Sequence, residues 1–260
     1  MPENKCMETS DDITETPAEA TTAHGETFSF RHRLAELFAS SPLGEEELLF
    51  NLGLYVRSSL LVKFLVMNDL YERIKTLPGA LVEFGVWRGQ NLVLLENLRA
   101  IHEPFNKQRT IIGFDTFTGY VDTEVAGSKD DAFYRTDRAY QSYLAELLEV
   151  HEGNNAFGHL RKNHTLVEGD VTVTAPAYFR DNPQTFVALA YFDMGPYEPT
   201  VAALKAIKPH LLPGSVLLFD ELTWTGAPGE AIAFKEVMAT VALTVEKCAL
   251  YPSKTIVTIR

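Results

Sequence analysis

Carboxylates recur at the ends of apolar runs in this chain, and that pattern is where its chemistry can lie. Glu83 sits inside Leu81-Val82-Glu83-Phe84, Asp115 follows the run from Arg109 to Phe114, and Glu168-Gly169-Asp170 follows His164 to Val167. Asp193 follows Phe186 to Phe192, and Asp220-Glu221 follows Ser215 to Phe219. A single polar residue at such a place is ordinary. Together they are informative, because short apolar runs of this kind read as buried parallel strands whose carboxyl ends share one edge and one ligand crevice. Asp115 is placed to accept hydrogen bonds from both hydroxyls of a ribose, with an Asx-turn as the structural alternative. Asp170 reaches an adenine amino group or is a plain loop acid. Asp193, Asp220 and Glu221 offer three oxygens to an octahedral cation that keeps water at its other positions, which describes magnesium more than zinc. Without a cation they would need an Arg or Lys partner, and the sequence does not identify one.

The most specific stretch is Leu81-Val82-Glu83-Phe84-Gly85-Val86-Trp87-Arg88-Gly89, an apolar run with an acid and two glycines that opens into a helical pattern. Gly85 and Gly89 let the backbone turn tightly and approach a ligand without a Cβ in the way. A dinucleotide site would prefer the spacing G-x-G-x-x-G with a pyrophosphate at the helix N-terminus. Two of those glycines are missing, and Glu83 would repel a pyrophosphate. A carboxylate there suits a cationic ligand.

The elements that must position these residues follow from periodicity. Residues 1–27 are rich in Thr, Glu, Asp, Ala and Pro and are expected to be a disordered acidic tail. From Phe28 to Leu77 apolar positions such as Leu60, Leu61, Phe64, Leu65, Leu70 and Ile74 recur at helical spacing, and Pro78-Gly79 ends that region. Helices are expected over Leu92–Ile101, Thr200–Lys208 and Glu230–Ala239, alternating with the strands. Two further strands, near Leu243–Ala249 and Thr255–Ile259, form an antiparallel edge hairpin. The region 116–157 reads as an insertion with its own helix from Arg138 to Val150, of the sort that covers substrate. The expected fold is α/β, a Rossmann-like doubly wound sheet of seven strands, mainly parallel, in a single domain over 28–260.

Composition narrows the function. A formal net charge of −12 with no clustered Lys and Arg excludes a nucleic-acid partner. Two cysteines, Cys6 and Cys248, make no disulfide framework and fit a reducing compartment. No apolar run is long enough to span a membrane and no secretory leader is visible, so a cytoplasmic protein is expected. The helices before the first strand cover the protein's own sheet or bury an apolar stripe against a second subunit.

In the order and spacing of its motifs the chain resembles the class I S-adenosylmethionine-dependent O-methyltransferases of the macrocin O-methyltransferase type, which modify sugars in antibiotic and polysaccharide pathways. The resemblance runs from about Tyr55 to the C-terminus and rests on Val82–Gly89, Gly113-Phe114-Asp115-Thr116-Phe117-Thr118-Gly119, Glu168-Gly169-Asp170, Tyr197-Glu198-Pro199-Thr200 and Pro213-Gly214-Ser215 leading into Asp220-Glu221. It implies that Glu83, Phe84, Gly85, Val86, Trp87 and Gly89 line the methionine end of the cofactor. It further implies that Asp115, Thr116 and Phe117 hold the ribose, and that Gly169 and Asp170 lie near adenine. A magnesium ion on Asp193, Asp220 and Glu221 is implied as well, with Glu221 standing where the family usually has a second Asp. One departure is sharper. The family commonly reads Asp-x-Asp-x-Tyr-Glu at the fourth strand end, its second Asp being the presumed base, whereas this chain reads Asp193-Met194-Gly195-Pro196-Tyr197-Glu198. Asp193 and Glu198 are then the expected catalytic acids, and Glu198, Glu230, His159 and His164 are the candidates for a relocated base.

The expected function is O-methylation of a hydroxyl on a sugar or related small molecule, using S-adenosylmethionine and magnesium. Phe117, Tyr120, Phe133, Tyr134 and Trp224 are candidate walls for the acceptor or simply core residues. The alternative is a cofactor-binding homologue whose catalysis is lost or altered through Gly195. A nicotinamide-dependent oxidoreductase is a weaker third reading, since Asp115 would serve its ribose equally well.

Overall fold

The computed structural model describes residues 25–106, 108–121, 133–136, 138–155, 162–226 and 228–260. They divide into two compact units, one ending at Tyr55 and one running from Val56 to Arg260. The first contains α1 (Gly25–Ala39), α2 (Glu45–Phe50) and a 3-10 turn over Leu52–Tyr55. Phe38 meets Tyr55 edge-on with ring centroids 5.1 Å apart, and the Tyr55 hydroxyl donates to Ser41 Oγ at 3.1 Å. Most of the expected tail lies outside the described residues, and α1 begins at Gly25 within it.

The second unit opens with α3 (Ser58–Ile74) and continues through β1 (Ala80–Phe84), α4 (Gln90–His102), β2 (Ile111–Asp115), α5 (Arg138–Asn155) and β3 (His164–Glu168). Then come α6 (Val171–Asp181), β4 (Val187–Phe192), α7 (Tyr197–Ile207), β5 (Leu211–Phe219), α8 (Gly229–Met238), β6 (Leu243–Lys247) and β7 (Thr255–Ile259). The seven strands form one sheet in the order β3-β2-β1-β4-β5-β7-β6. The first five in chain order are mutually parallel, and β7 runs antiparallel between β5 and β6. This is the doubly wound, mainly parallel sheet with an antiparallel C-terminal edge that the alternation of runs predicts.

Register places the chemistry. Phe114, Phe84, Phe192 and Phe219 stand in one row across β2, β1, β4 and β5, with successive ring centroids 5.0, 5.1 and 4.6 Å apart. All four point into the core shared with α6, α7 and α8. Side chains alternate along a strand, so the next residues, Asp115, Gly85, Asp193 and Asp220, belong to the opposite face. That face is covered by α3, α4 and α5 through Val66, Leu70, Leu92, Leu95, Leu144 and Leu148. The described helix of the insertion contributes Leu144 and Leu148 to that core.

α6 has no counterpart in the sequence reading. Four β-branched residues, Val171, Thr172, Val173 and Thr174, and an interior Pro176 all weaken the helical signal. Packing overrides them: Val171, Ala175 and Phe179 are buried against the phenylalanine row, and Asp170 caps the helix by accepting the Thr172 N–H at 2.8 Å.

Candidate functional site at the carboxyl edge

Strand order reverses between β1 and β4, and the crevice beyond their carboxyl ends is where such sheets hold ligands. Glu83 comes from β1 and is 1% exposed. Its Oε1 accepts from Asn91 Nδ2 at 2.5 Å, while its Oε2 has no hydrogen-bond partner among the described residues. Burial pushes its carboxyl up to about 8, against the pull of Asn91 and of Lys63 nearby. A buried acid with an unmet oxygen fits a ligand that brings a positive charge and a donor.

Asp115 closes the loop after β1. Its Oδ2 accepts the backbone N–H groups of Val86 and Trp87, each at 2.7 Å, and its Oδ1 accepts that of Phe117 at 2.7 Å. Both Trp87 (φ 48°) and Phe117 (φ 53°) are held in the left-handed region, where a bulky residue persists only if its surroundings insist on it. The Asx-turn is therefore real. It still leaves Oδ1 an acceptor site, since a carboxylate offers about four. Phe117 itself is fully buried in the core, so its ring is not a wall of the crevice. Thr116 Oγ1 donates to the Gly119 carbonyl at 2.5 Å and shapes the same turn.

The two glycines of the opening motif have other reasons than ligand approach. A Cβ on Gly85 would collide with the Asp193 carbonyl oxygen, so this glycine lets the ends of β1 and β4 close on each other. A Cβ on Gly89 would collide with Leu144 Cδ1, so this one admits α5 against the start of α4. Both have positive φ, +89° and +72°.

The three acids expected to share a metal do not meet. Asp193 and Asp220 project to the α3 side and line a cavity of about 180 Å³ with Lys63, Met67, Tyr191 and Tyr251. Glu221 reaches the Gly195 turn, its Oε2 lying 2.9 Å from where a Cβ on Gly195 would be. Among the described residues no group of three His, Cys, Asp or Glu side chains is arranged to hold a metal. The cation beside Asp220 is Lys254, which ion-pairs with Asp220 Oδ1 and donates to the Tyr191 hydroxyl at 2.8 Å. Sequence reasoning missed it. The signal lay in strand direction: β7 runs antiparallel to β5 and pairs Thr255 with Phe219, so the residue before Thr255 must arrive opposite Asp220.

Of the candidate bases, His164 opens β3 at the other edge of the sheet, where its Nε2 meets Glu96 Oε2 at 2.7 Å within a buried Glu96–Arg99–Glu152 network. His159 lies outside the described residues. Glu198 is exposed in the first turn of α7, where an acid favours the helix dipole. Glu230 is the one that reaches the Gly195 turn. It is fully buried, its Oε2 accepts the Glu221 N–H at 2.9 Å, and its Oε1 has no partner among the described residues. Burial raises its carboxyl to about 8, partly offset by the backbone N–H groups of Glu221 and Gly195. The neighbouring Gly229 comes so close that a Cβ would stand 2.5 Å from the Gly195 carbonyl oxygen.

A sequence profile of the family described as Macrocin-O-methyltransferase (TylF) matches residues 66–242. The chain belongs to this family. Among curated proteins, this family member is 28% identical over 150 residues to 8-demethyl-8-(2,3-dimethoxy-alpha-L-rhamnosyl)-tetracenomycin-C 4'-O-methyltransferase of Streptomyces olivaceus, covering 55% of the chain and 53% of the relative. It is 28% identical over 151 residues to demethyldecarbamoylnovobiocin O-methyltransferase of Streptomyces niveus, with the same coverage of 55% and 53%. The chain thus spans about half the length of the curated relatives it matches. Among solved structures, the calicheamicin methyltransferase CalS11 superposes with a TM-score of 0.84 at 38% identity, covering 92% of this chain and 94% of that one. The O-methyltransferase NovP superposes with a TM-score of 0.57 at 17% identity over 76% and 80% of the two chains, a likeness of fold. No helix of the described residues is long and apolar enough to cross a membrane.

Proposed function

We propose that this chain transfers a methyl group from S-adenosylmethionine to a hydroxyl of a sugar-bearing small molecule. The observation that carries the reading is Glu83, a buried carboxyl with one unmet oxygen at the point where strand order reverses, inside a chain of the macrocin O-methyltransferase family. The backbone of Phe84, Gly85 and Val86 carries Glu83 to the methionine end of the cofactor, where it faces the ammonium. Asp115 uses the acceptor site left on Oδ1 for the ribose, and Asp170, whose second oxygen is not needed for the helix cap, faces the adenine edge with Gly169. Trp87, whose ring lies tilted against that of Phe133 at 5.3 Å and whose buried Nε1 has no partner among the described residues, borders the same crevice.

S-adenosylmethionine supplies an activated methyl on a sulfonium, which makes in-line displacement by an oxygen feasible once the two are aligned. The protein's part is alignment and proton removal. A sugar hydroxyl ionises far above neutrality, so a base is needed as the new bond forms. Asp193 is the exposed carboxylate on the cavity, and we assign it as the proton acceptor. Glu230 acts through the Gly195 turn and is a positioning residue.

The acceptor class is supported by relatives whose names specify sugar hydroxyls, a rhamnosyl 4'-position in the tetracenomycin enzyme and TDP-rhamnose 3' in CalS11. The test is methyl transfer from isotopically labelled S-adenosylmethionine to a panel of nucleotide-linked deoxysugars and glycosides, beside calorimetric titration of the cofactor. Labelled methyl ether on one member of the panel supports the reading. Absence of cofactor binding sinks it, and cofactor binding without turnover on any hydroxyl favours the homologue with lost catalysis.

A further inference from the structure

The methionine end of S-adenosylmethionine carries an ammonium and a carboxylate on one carbon, and the buried carboxyl of Glu83 answers only the first. We propose that Lys63 of α3 takes the cofactor carboxylate, so that the amino-acid end is gripped between an acid of β1 and a cation of the helix before it. This pairing rests on the methyltransferase reading above.

The place of Lys63 follows from the face that α3 turns inward. Val66, Met67, Leu70 and Ile74 recur at helical spacing and are buried in the core on that side of the sheet. Lys63 and Ser59 continue the stripe toward the helix N-terminus, where it meets Asp193 and Asp220 across the cavity. Leu61 and Leu65 are each 48% exposed, so the helix keeps a lysine on its inward stripe while apolar neighbours face out. A lysine is ordinarily left in water, and its place here calls for a negative partner.

Register brings Glu83 to the same cavity. It pairs with Tyr191 across β1 and β4, Tyr191 pairs with Leu218 across β4 and β5, and Tyr191 and Leu218 both line the cavity beside Lys63. Neighbouring strands lie about 4.8 Å apart, so Glu83 is one strand from the cavity wall. The Lys63 charge acts on the Glu83 carboxyl, drawing it down against burial. A ligand bridging the two must present positive charge to Glu83 and negative charge to Lys63, which an α-amino-acid group does from a single carbon.

The other charges leave Lys63 for this role. Lys254, the second cation on the cavity, is taken by Asp220 and by the Tyr191 hydroxyl at 2.8 Å. Lys63 has no hydrogen-bond or ion-pair partner among the described residues. Without it, an entering carboxylate would face Asp193 and Asp220 with no cation left to it, and like charges at such range oppose binding. With it, the carboxylate accepts a charge-assisted hydrogen bond from an ammonium that has three donors to offer.

The test is calorimetric titration of the full-length protein with S-adenosylmethionine and with decarboxylated S-adenosylmethionine, which keeps the sulfonium and the ammonium and lacks only the carboxylate. The wild type is expected to bind the first about tenfold or more tightly, the scale of one hydrogen bond between charged groups. Lys63→Met is expected to bind the two within about twofold of each other, and Lys63→Arg to restore the preference. Equal affinity of the wild type for both ligands overturns the pairing, and that arm needs no variant. A Lys63→Met that weakens both ligands alike, as charge balance or helix packing alone would produce, overturns it too. So does one that keeps its affinity for S-adenosylmethionine and raises only the acceptor KM. Those three outcomes leave the methyltransferase reading standing, whereas binding of neither ligand by the wild type removes that reading and the pairing with it.

Discussion

Glu83 shows at the scale of one residue how a site can be written against stability. Its carboxyl is neutral near pH 7 in the ligand-free protein because burial raises it to about 8, and a cationic ligand at its open oxygen would draw the proton off. Binding of S-adenosylmethionine at pH 7 should therefore release up to one proton, visible as a calorimetric enthalpy that changes with the ionisation enthalpy of the buffer. Glu83→Gln should abolish that dependence and weaken binding about tenfold or more, as expected for the loss of a charge-assisted hydrogen bond. An unchanged affinity in the variant would remove Glu83 from the cofactor site. Gly195 is the complementary case. Restoring an acid there looks from the sequence like a repair, but the residue has φ +80° and a Cβ would lie 2.9 Å from Glu221 Oε2. Gly195→Asp is expected to lower stability by about 1–3 kcal/mol through backbone strain and like charge, without raising turnover. Chemical denaturation and a methyl-transfer assay on the same preparation check both halves.

Among elements, the amino edge of the sheet is fastened by one side chain. Arg109 precedes β2 and is buried; its Nη1 donates to the carbonyls of Leu77 and Gly79 at 2.8 and 2.7 Å, and its Nη2 to that of Ile74 at 3.3 Å. Nε and Nη2 also form a two-pronged pair with Glu103 at 2.8 and 2.9 Å, and Glu103 accepts the Tyr71 hydroxyl at 2.6 Å. The C-terminal end of α3, the start of β1 and the end of α4 thus share one guanidinium. Arg109→Met should cost about 3–5 kcal/mol by leaving Glu103 and three carbonyls without their partner, while the folded fraction keeps its cofactor affinity. A denaturant midpoint close to that of the wild type would show the clamp to be dispensable. At the other edge Gly85→Ala should prevent β1 and β4 from closing, since its methyl would overlap the Asp193 carbonyl, and soluble yield and thermal midpoint should both fall. Alternation of strand and helix made most of these elements readable in the sequence. α6 was not, because the β-branched run from Val171 to Thr174 and the interior Pro176 argue locally for anything but a helix, and only the buried phenylalanine row decides the matter.

Across the whole molecule, the buried carboxyls of Glu83 and Glu230, both raised to about 8, set the pH response of the ligand-free protein. The folded state holds protons that the unfolded chain releases above about pH 4.3. Their contribution is therefore fully present below that value and is lost as pH rises through about 8, with a slope set by the proton difference between the states. Glu103, lowered on balance by Arg109 and its other partners, is ionised over most of that window, and Lys254, lowered by burial to about 8, loses its proton across the upper end of it in either protein. The wild-type thermal midpoint should fall between about pH 5 and 8.5 relative to that of Glu83→Gln/Glu230→Gln, which should be flatter. Parallel curves for the two proteins would show that neither carboxyl titrates abnormally.

The sequence by itself determined the order of the strands and of every helix between them but α6, the shared carboxyl edge, and the presence there of Glu83, Asp115, Asp170, Asp193 and Asp220, because period-two and helical patterns are local and a parallel sheet puts like ends together. What each acid does was decided by tertiary structure. Asp115 meets Val86, Trp87 and Phe117, and Asp170 meets its own helix; Glu221 reaches the Gly195 turn, and Lys254 reaches Asp220 through an antiparallel strand. A charge's partner depends on strand direction and register, and those are fixed only when the sheet closes.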